Sequence, residues 1–133
     1  NDHAGVDYKN HIIEKLKENY NVINHGTNNI KSVDYPDFAH PVSLDVQKKT
    51  SDLGILICGS GNGVAMTANK YKNVRAALCW NDQIAVLAKK HNNANIICIP
   101  ARFISKKEAL QIIKSFIDTE FEAGRHQRRV NKI

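Results

Sequence analysis

At 133 residues, with 42% apolar residues and no apolar run near the length of a bilayer span, the chain is expected to be one soluble domain with a single core. Its three cysteines, odd in number and irregularly spaced, argue against a disulfide framework and fit a reducing cytoplasm; no Cys-x-x-Cys or paired Cys/His pattern suggests structural zinc. The formal net charge of +6 leaves open a nucleic acid, an anionic small substrate or a merely solvated basic surface, and much of it is scattered along predicted helices.

Asn1-Asp2-His3-Ala4-Gly5 is polar and turn-like, and a strand that would be expected before it is missing from this stretch of sequence. Val6 to Asn19 carries Val6, Tyr8, Ile12, Ile13 and Leu16 near a helical period, which predicts a first amphipathic helix. Val22 to His25 reads as a short strand closed by Gly26. Tyr35-Pro36-Asp37-Phe38 opens a second helix, with Pro36 where a first turn tolerates it. Leu53 to Ile57 is a short apolar run suited to a strand buried on both faces, broken sharply by Gly59-Ser60-Gly61-Asn62-Gly63, and a helix follows from Val64. Val74 to Leu78 is a further strand, Asn81 or Asp82 can cap a helix running to about Lys90, and Asn95 to Ile99 is a strand ended by Pro100. Ser105 with Glu108 has the form of a capping box for the last helix, whose apolar face is Ala109, Ile112, Ile113, Phe116 and Ile117, and Gly124 can terminate it. Residues 125–133 are strongly basic.

Regular alternation of buried strands with helices predicts an α/β fold: parallel βα units and an open parallel sheet in a three-layer arrangement, one domain over 1–133. Ligands of such sheets bind at the carboxyl ends of the strands, which makes the glycine loop the expected centre. That loop is neither a dinucleotide fingerprint, because Val64 stands where the third glycine belongs, nor a nucleotide P-loop, because no Gly-Lys-Ser/Thr follows. It is either a tight turn or an anion cup of backbone N–H groups.

Cys58 by itself reads as a small core residue, yet its place at a strand end beside N–H donors suits a thiolate acting as base or nucleophile. Cys79 and Cys98 lie in apolar runs and read as packing. His91, from its own segment, reads as a cation placed favourably at a helix end, with a proton carrier as the alternative. Arg125, Arg128 and Arg129 suit a solvated end, a nucleic-acid arm or a phosphate clamp; the absence of aromatics beside them weakens the nucleic-acid reading, and Arg102 is a further clamp candidate.

Together, Asp2-His3-Ala4-Gly5, Tyr35-Pro36-Asp37, Ile57-Cys58-Gly59-Ser60-Gly61-Asn62-Gly63, Ala68-Asn69-Lys70, Val74-Arg75-Ala76-Ala77, His91-Asn92-Asn93-Ala94-Asn95 and Gly124-Arg125-His126-Gln127-Arg128-Arg129-Val130 resemble the type B ribose-5-phosphate isomerases over nearly the whole chain. The resemblance implies a Rossmann-like fold, a homodimer or dimer of dimers with active sites shared between subunits, and aldose–ketose isomerisation of a phosphorylated sugar without metal or organic cofactor. It implies that Cys58 is the general base, that Ser60 keeps a hydroxyl near the reacting atoms where relatives often have threonine, and that Gly59, Gly61, Asn62 and Gly63 line the oxyanion cup. It further implies that His91 opens the furanose ring, that Asn92, Asp2 and His3 contact substrate, and that Arg102, Arg125 and Arg129 clamp the phosphate, part of the clamp lent by a partner subunit. Asn62 stands where the family often has an apolar residue, which bears on the shape of the cup.

The resemblance reverses the reading of His91 and of the basic segment, which no single segment could reveal. The expected reaction interconverts ribose 5-phosphate and ribulose 5-phosphate. The alternatives are isomerisation of a six-carbon phosphate such as galactose 6-phosphate or allose 6-phosphate, a catalytically silent phosphosugar-binding module, and a nucleic-acid-binding protein. Neither nucleic acid nor membrane is an expected partner, and the expected location is the cytoplasm.

Overall fold

The computed structural model describes residues 1–133. After a short 3₁₀ turn at His3–Gly5 the chain forms α1 (Val6–Leu16), α2 (Pro36–Lys48), β1 (Gly54–Cys58), α3 (Asn62–Ala68), β2 (Ala76–Leu78), α4 (Asp82–Asn92), β3 (Ile96–Pro100), α5 (Lys106–Ile117) and α6 (Arg125–Val130). The strands are parallel in the order β1-β3-β2, with β3 central and every one of its residues buried. Gly54 lies opposite Ile96 and Cys58 opposite Pro100, so the carboxyl ends of β1 and β3 finish level. Hydrogen bonds from Ala101 N to Cys58 O (2.9 Å) and from Arg102 N to Gly59 O (3.1 Å) continue that pairing into the loops.

Alternation along the strands makes the three layers. Leu56, Cys58, Ile96 and Cys98 pack with Ala39 and Val46 of α2 and with Val64 and Ala68 of α3. Ile57, Ile97 and Ile99 face the other way, against Ile12 and Leu16 of α1, Ala85 and Ala88 of α4, and Ile112, Ile113 and Phe116 of α5. This is the expected Rossmann-like three-layer architecture around a small open parallel sheet. No helix is long and apolar enough to cross a membrane.

Local chemistry sets the element ends. Asn81 caps α4 by accepting a hydrogen bond from Ile84 N at 2.9 Å, and Asn93 closes that helix at φ 46°. Ser105 and Glu108 form the reciprocal capping box of α5. Two expectations are corrected. Val22–His25 is not a strand: a strand exists through ladder hydrogen bonds, and these residues make none with β1. A cavity of about 400 Å³, lined in part by Ile12, Leu16, Val22, Ile23, Ile55 and Phe116, lies between them and the free edge of β1. Gly124 does not end α5, which stops at Ile117 with Asp118 as its cap; at φ 52° it precedes α6 instead. Residues Arg125–Val130 of the basic segment thus form a helix of their own.

Candidate active site

β1 delivers Cys58 to the carboxyl edge of the sheet, 8% exposed, on the face covered by α2 and α3. The polar groups that act on the thiol are the Asp2 carboxylate and the backbone N–H groups of Gly59 and Gly61. Burial pushes the Cys58 thiol above its ordinary value, the Asp2 hydrogen bond and charge push the same way, and the two amides pull against them. The loop amides thus favour the thiolate, and burial with Asp2 outweighs them. A sulfur removed from water beside a carboxylate keeps its proton.

Asp2 is itself buried, and its Oδ1 accepts from Ala4 N at 2.9 Å while its own N–H donates to Ile57 O at 3.3 Å. His3 Nδ1 accepts from Val33 N at 3.3 Å, which ties that ring to the loop ahead of α2. Gly61 stands at φ 76°, and a Cβ there would come within 2.5 Å of Leu78 Cδ1. At Gly63 a Cβ would lie 2.5 Å from Tyr35 Cζ, so the tyrosine ring lies directly over the loop. Ser60 and Asn62 are exposed beside it, with Ser60 Oγ accepting from Asn62 N at 3.4 Å. Arg102 lies along Gly59, its Nε 3.2 Å from where a Cβ on that glycine would be. Asp2, Cys58, the loop and Arg102 thus make one cluster. Tyr35 belongs to it as well; its place before Pro36 marks a helix start in the sequence and hides this role.

The remaining candidates lie elsewhere. In a parallel β-helix-β unit the helix runs back against the strands, so α4 carries His91 and Asn92 to the amino edge of the sheet. Arg75, just before β2, confirms that placement: its Nε donates to Asn93 O at 2.8 Å, and its carbonyl accepts from Asn95 N at 3.1 Å. The rise of β3 from Ile96 to Pro100 is about 13 Å, and it separates this edge from Cys58. Here α6 packs on α4, so Arg125 and Arg129 join the histidine rather than the thiol.

Two further residues fill this second cluster. Glu122 N donates to Lys90 O at 3.1 Å, and Glu122 Oε2 lies 4.0 Å from His91 Nε2. The buried His126 ring stacks on His91, centroids 4.1 Å apart and planes 5° from parallel. Neither residue stands out in the sequence, where His126 is only part of a basic run. His91, Glu122 and His126 offer donor atoms within 4.8 Å of one another, the arrangement closest to a metal centre. Parallel rings, however, aim their in-plane lone pairs side by side rather than at one point, and the adjacent Arg125 and Arg129 disfavour a cation. The other two cysteines are packing, as expected: burial pushes Cys79 up to about 12 and Cys98 higher still.

The model of the ribose/galactose isomerase family matches residues 1–133. Ribose-5-phosphate isomerase B of Escherichia coli is 37% identical over 99% of this chain and 89% of its own length. The crystal structure of ribose-5-phosphate isomerase B from Mycoplasma genitalium with bound ribulose 5-phosphate is similar at a TM-score of 0.95 and 47% identity, covering 98% of this chain and 88% of that one. A ribose 5-phosphate isomerase from Thermotoga maritima superposes with a TM-score of 0.95 at 42% identity, over 98% of this chain and 91% of that one.

Proposed function

The chain belongs to the ribose/galactose isomerase family and is a sugar-phosphate isomerase, and from that premise we propose that it interconverts ribose 5-phosphate and ribulose 5-phosphate with Cys58 as the general base. The observation that carries this reading is the Cys58 thiol at the sheet's carboxyl edge, beside the Asp2 carboxylate and the Gly59 and Gly61 amides. A proton carrier set against oxyanion donors is what carbon-to-carbon proton transfer needs. The relative that holds ribulose 5-phosphate, at 47% identity, supports the five-carbon substrate.

In the proposed reaction the Cys58 thiol gives up its proton to solvent, and the thiolate takes the hydrogen from carbon 2 of the open-chain aldose. The electron pair forms a carbon 1–carbon 2 double bond, and charge moves onto the carbonyl oxygen, which the loop amides hold as an enediolate. Cys58 returns the proton to carbon 1 while the hydroxyl proton on oxygen 2 passes to oxygen 1, leaving the ketose. Ser60 and Asn62 bond the reacting end, and Asp2 and His3 the sugar. No metal or organic cofactor enters these steps.

Ribose 5-phosphate is mostly a closed furanose, so a second group must open it. His91 suits that role, giving a proton to the ring oxygen as the bond to carbon 1 breaks and regaining one from the carbon 1 hydroxyl. A proton donor must lie within hydrogen-bond reach of its acceptor, and within one protomer the rise of β3, about 13 Å, separates the sheet edge of His91 from that of Cys58. The reading therefore requires a second copy of the chain, in which the partner brings His91 and Asn92 to the thiol. Arg125 and Arg129 of residues 125–133 arrive with them and close the phosphate clamp opposite Arg102.

Turnover on ribose 5-phosphate and on allose 6-phosphate, wild type beside Cys58→Ala, tests the reading. Pentose turnover that Cys58→Ala abolishes, with phosphosugar affinity retained, is the expected result. Turnover of the hexose alone would keep the chemistry and replace the substrate; turnover of neither by folded protein would contradict the proposal.

A further inference from the structure

His91 sits in the last turn of α4, part exposed, where a side chain has little around it to fix its ring. What holds it comes from beyond the helix: Glu122 at 4.0 Å from Nε2, and the face of His126 at 4.1 Å. His126 is the better anchored of the pair, 4% exposed on the inner side of α6. Arg125 Nε donates to its Nε2 at 3.4 Å, so that nitrogen accepts and the ring hydrogen resides on Nδ1. Burial, the neighbouring His91 and Arg125 all push His126 below its ordinary value, Arg129 adds to them, and Glu122 opposes them. Two stacked imidazolium rings would repel each other, and burial beside Arg125 disfavours the charged form of His126.

We propose that His126 is a positioning residue for His91, a flat plate that fixes the plane from which His91 delivers its proton to the furanose ring oxygen. The inference rests on the ring-opening role given to His91 above. In that step His91 loses a proton to the ring oxygen as the carbon 1–oxygen bond breaks, and the carbon 1 hydroxyl restores it. His126 exchanges no proton and touches no substrate.

A comparison of two reactions separates ring opening from the proton shuttle. Ribulose 5-phosphate has its terminal oxygen blocked by phosphate and cannot close to a furanose. Exchange of its carbon 1 hydrogen in deuterium oxide, followed by proton NMR, therefore needs Cys58 and the enediolate but no ring opening. His126→Ala is expected to lower kcat on ribose 5-phosphate about tenfold or more, while this exchange stays within about twofold of wild type. Retained exchange also certifies the fold. His126→Phe, which keeps the plate and removes the nitrogens, is expected to recover kcat to within about threefold. A Phe variant no better than Ala, or exchange falling in step with turnover, overturns the proposal. So does a rise in KM for both substrates at unchanged kcat, which would make His126 part of the phosphate clamp. If the wild type neither turns over ribose 5-phosphate nor exchanges, the assigned reaction itself fails and the role of His126 falls with it.

Discussion

The sulfur of Cys58 is pulled two ways, and the balance has a measurable consequence. Burial and Asp2 hold the thiol above its ordinary value against the Gly61 and Gly59 amides, so near neutral pH the reactive thiolate is the minor form. For a raised acid the ionised fraction grows as pH climbs, so kcat/KM should increase with pH on the alkaline side of neutrality. A profile already flat from pH 6 upward would contradict Cys58 as the base. Asp2→Asn removes the charge and is expected to shift the rising limb to lower pH, because the carboxylate no longer repels the thiolate. Cys58 can be singled out in the sequence because a strand and a glycine loop bracket it. Its ionisation state cannot, because Asp2 is 56 positions away in the chain and is held near it by the Asp2 N to Ile57 O hydrogen bond.

Among the elements, the glycine loop has the least freedom to vary. Gly61→Ala places a side chain at φ 76° and drives its Cβ toward Leu78, so it should cost about 1–3 kcal/mol in denaturant unfolding as well as activity. Ser105→Ala, which removes half of the α5 capping box, should cost about 1 kcal/mol and leave kcat unchanged. Equal stability of either variant with wild type would show that these local devices matter less than the layers around them. The capping box is legible in sequence because both partners lie within one turn. Gly124 is ambiguous there because a glycine permits a stop or a start equally; the unwound stretch after Asp118 decides between them. Val22–His25 has strand-like composition, but composition does not supply a neighbour, and pairing is a property of the sheet rather than of the segment.

On the scale of the molecule, the two clusters occupy opposite edges of one sheet, and the alternation of elements alone fixes that. It is implicit in the sequence once Cys58 falls at a strand's carboxyl end and His91 at a helix's, although only the positions of Arg75, Asn93 and Asn95 make it concrete. Arg125 and Arg129 gather on α6, near the His91–His126 pair. In the proposed enzyme one catalytic site takes Cys58 from one copy and His91 from another, and mixing two inactive proteins probes that sharing. Cys58→Ala and His91→Ala, each inactive on ribose 5-phosphate, would be unfolded together, refolded at equal concentrations and assayed. Random pairing in a two-fold dimer makes half the dimers mixed, each with one intact site, so recovery of about a quarter of wild-type activity is predicted. Mixed dimers that form and remain inactive would contradict the account.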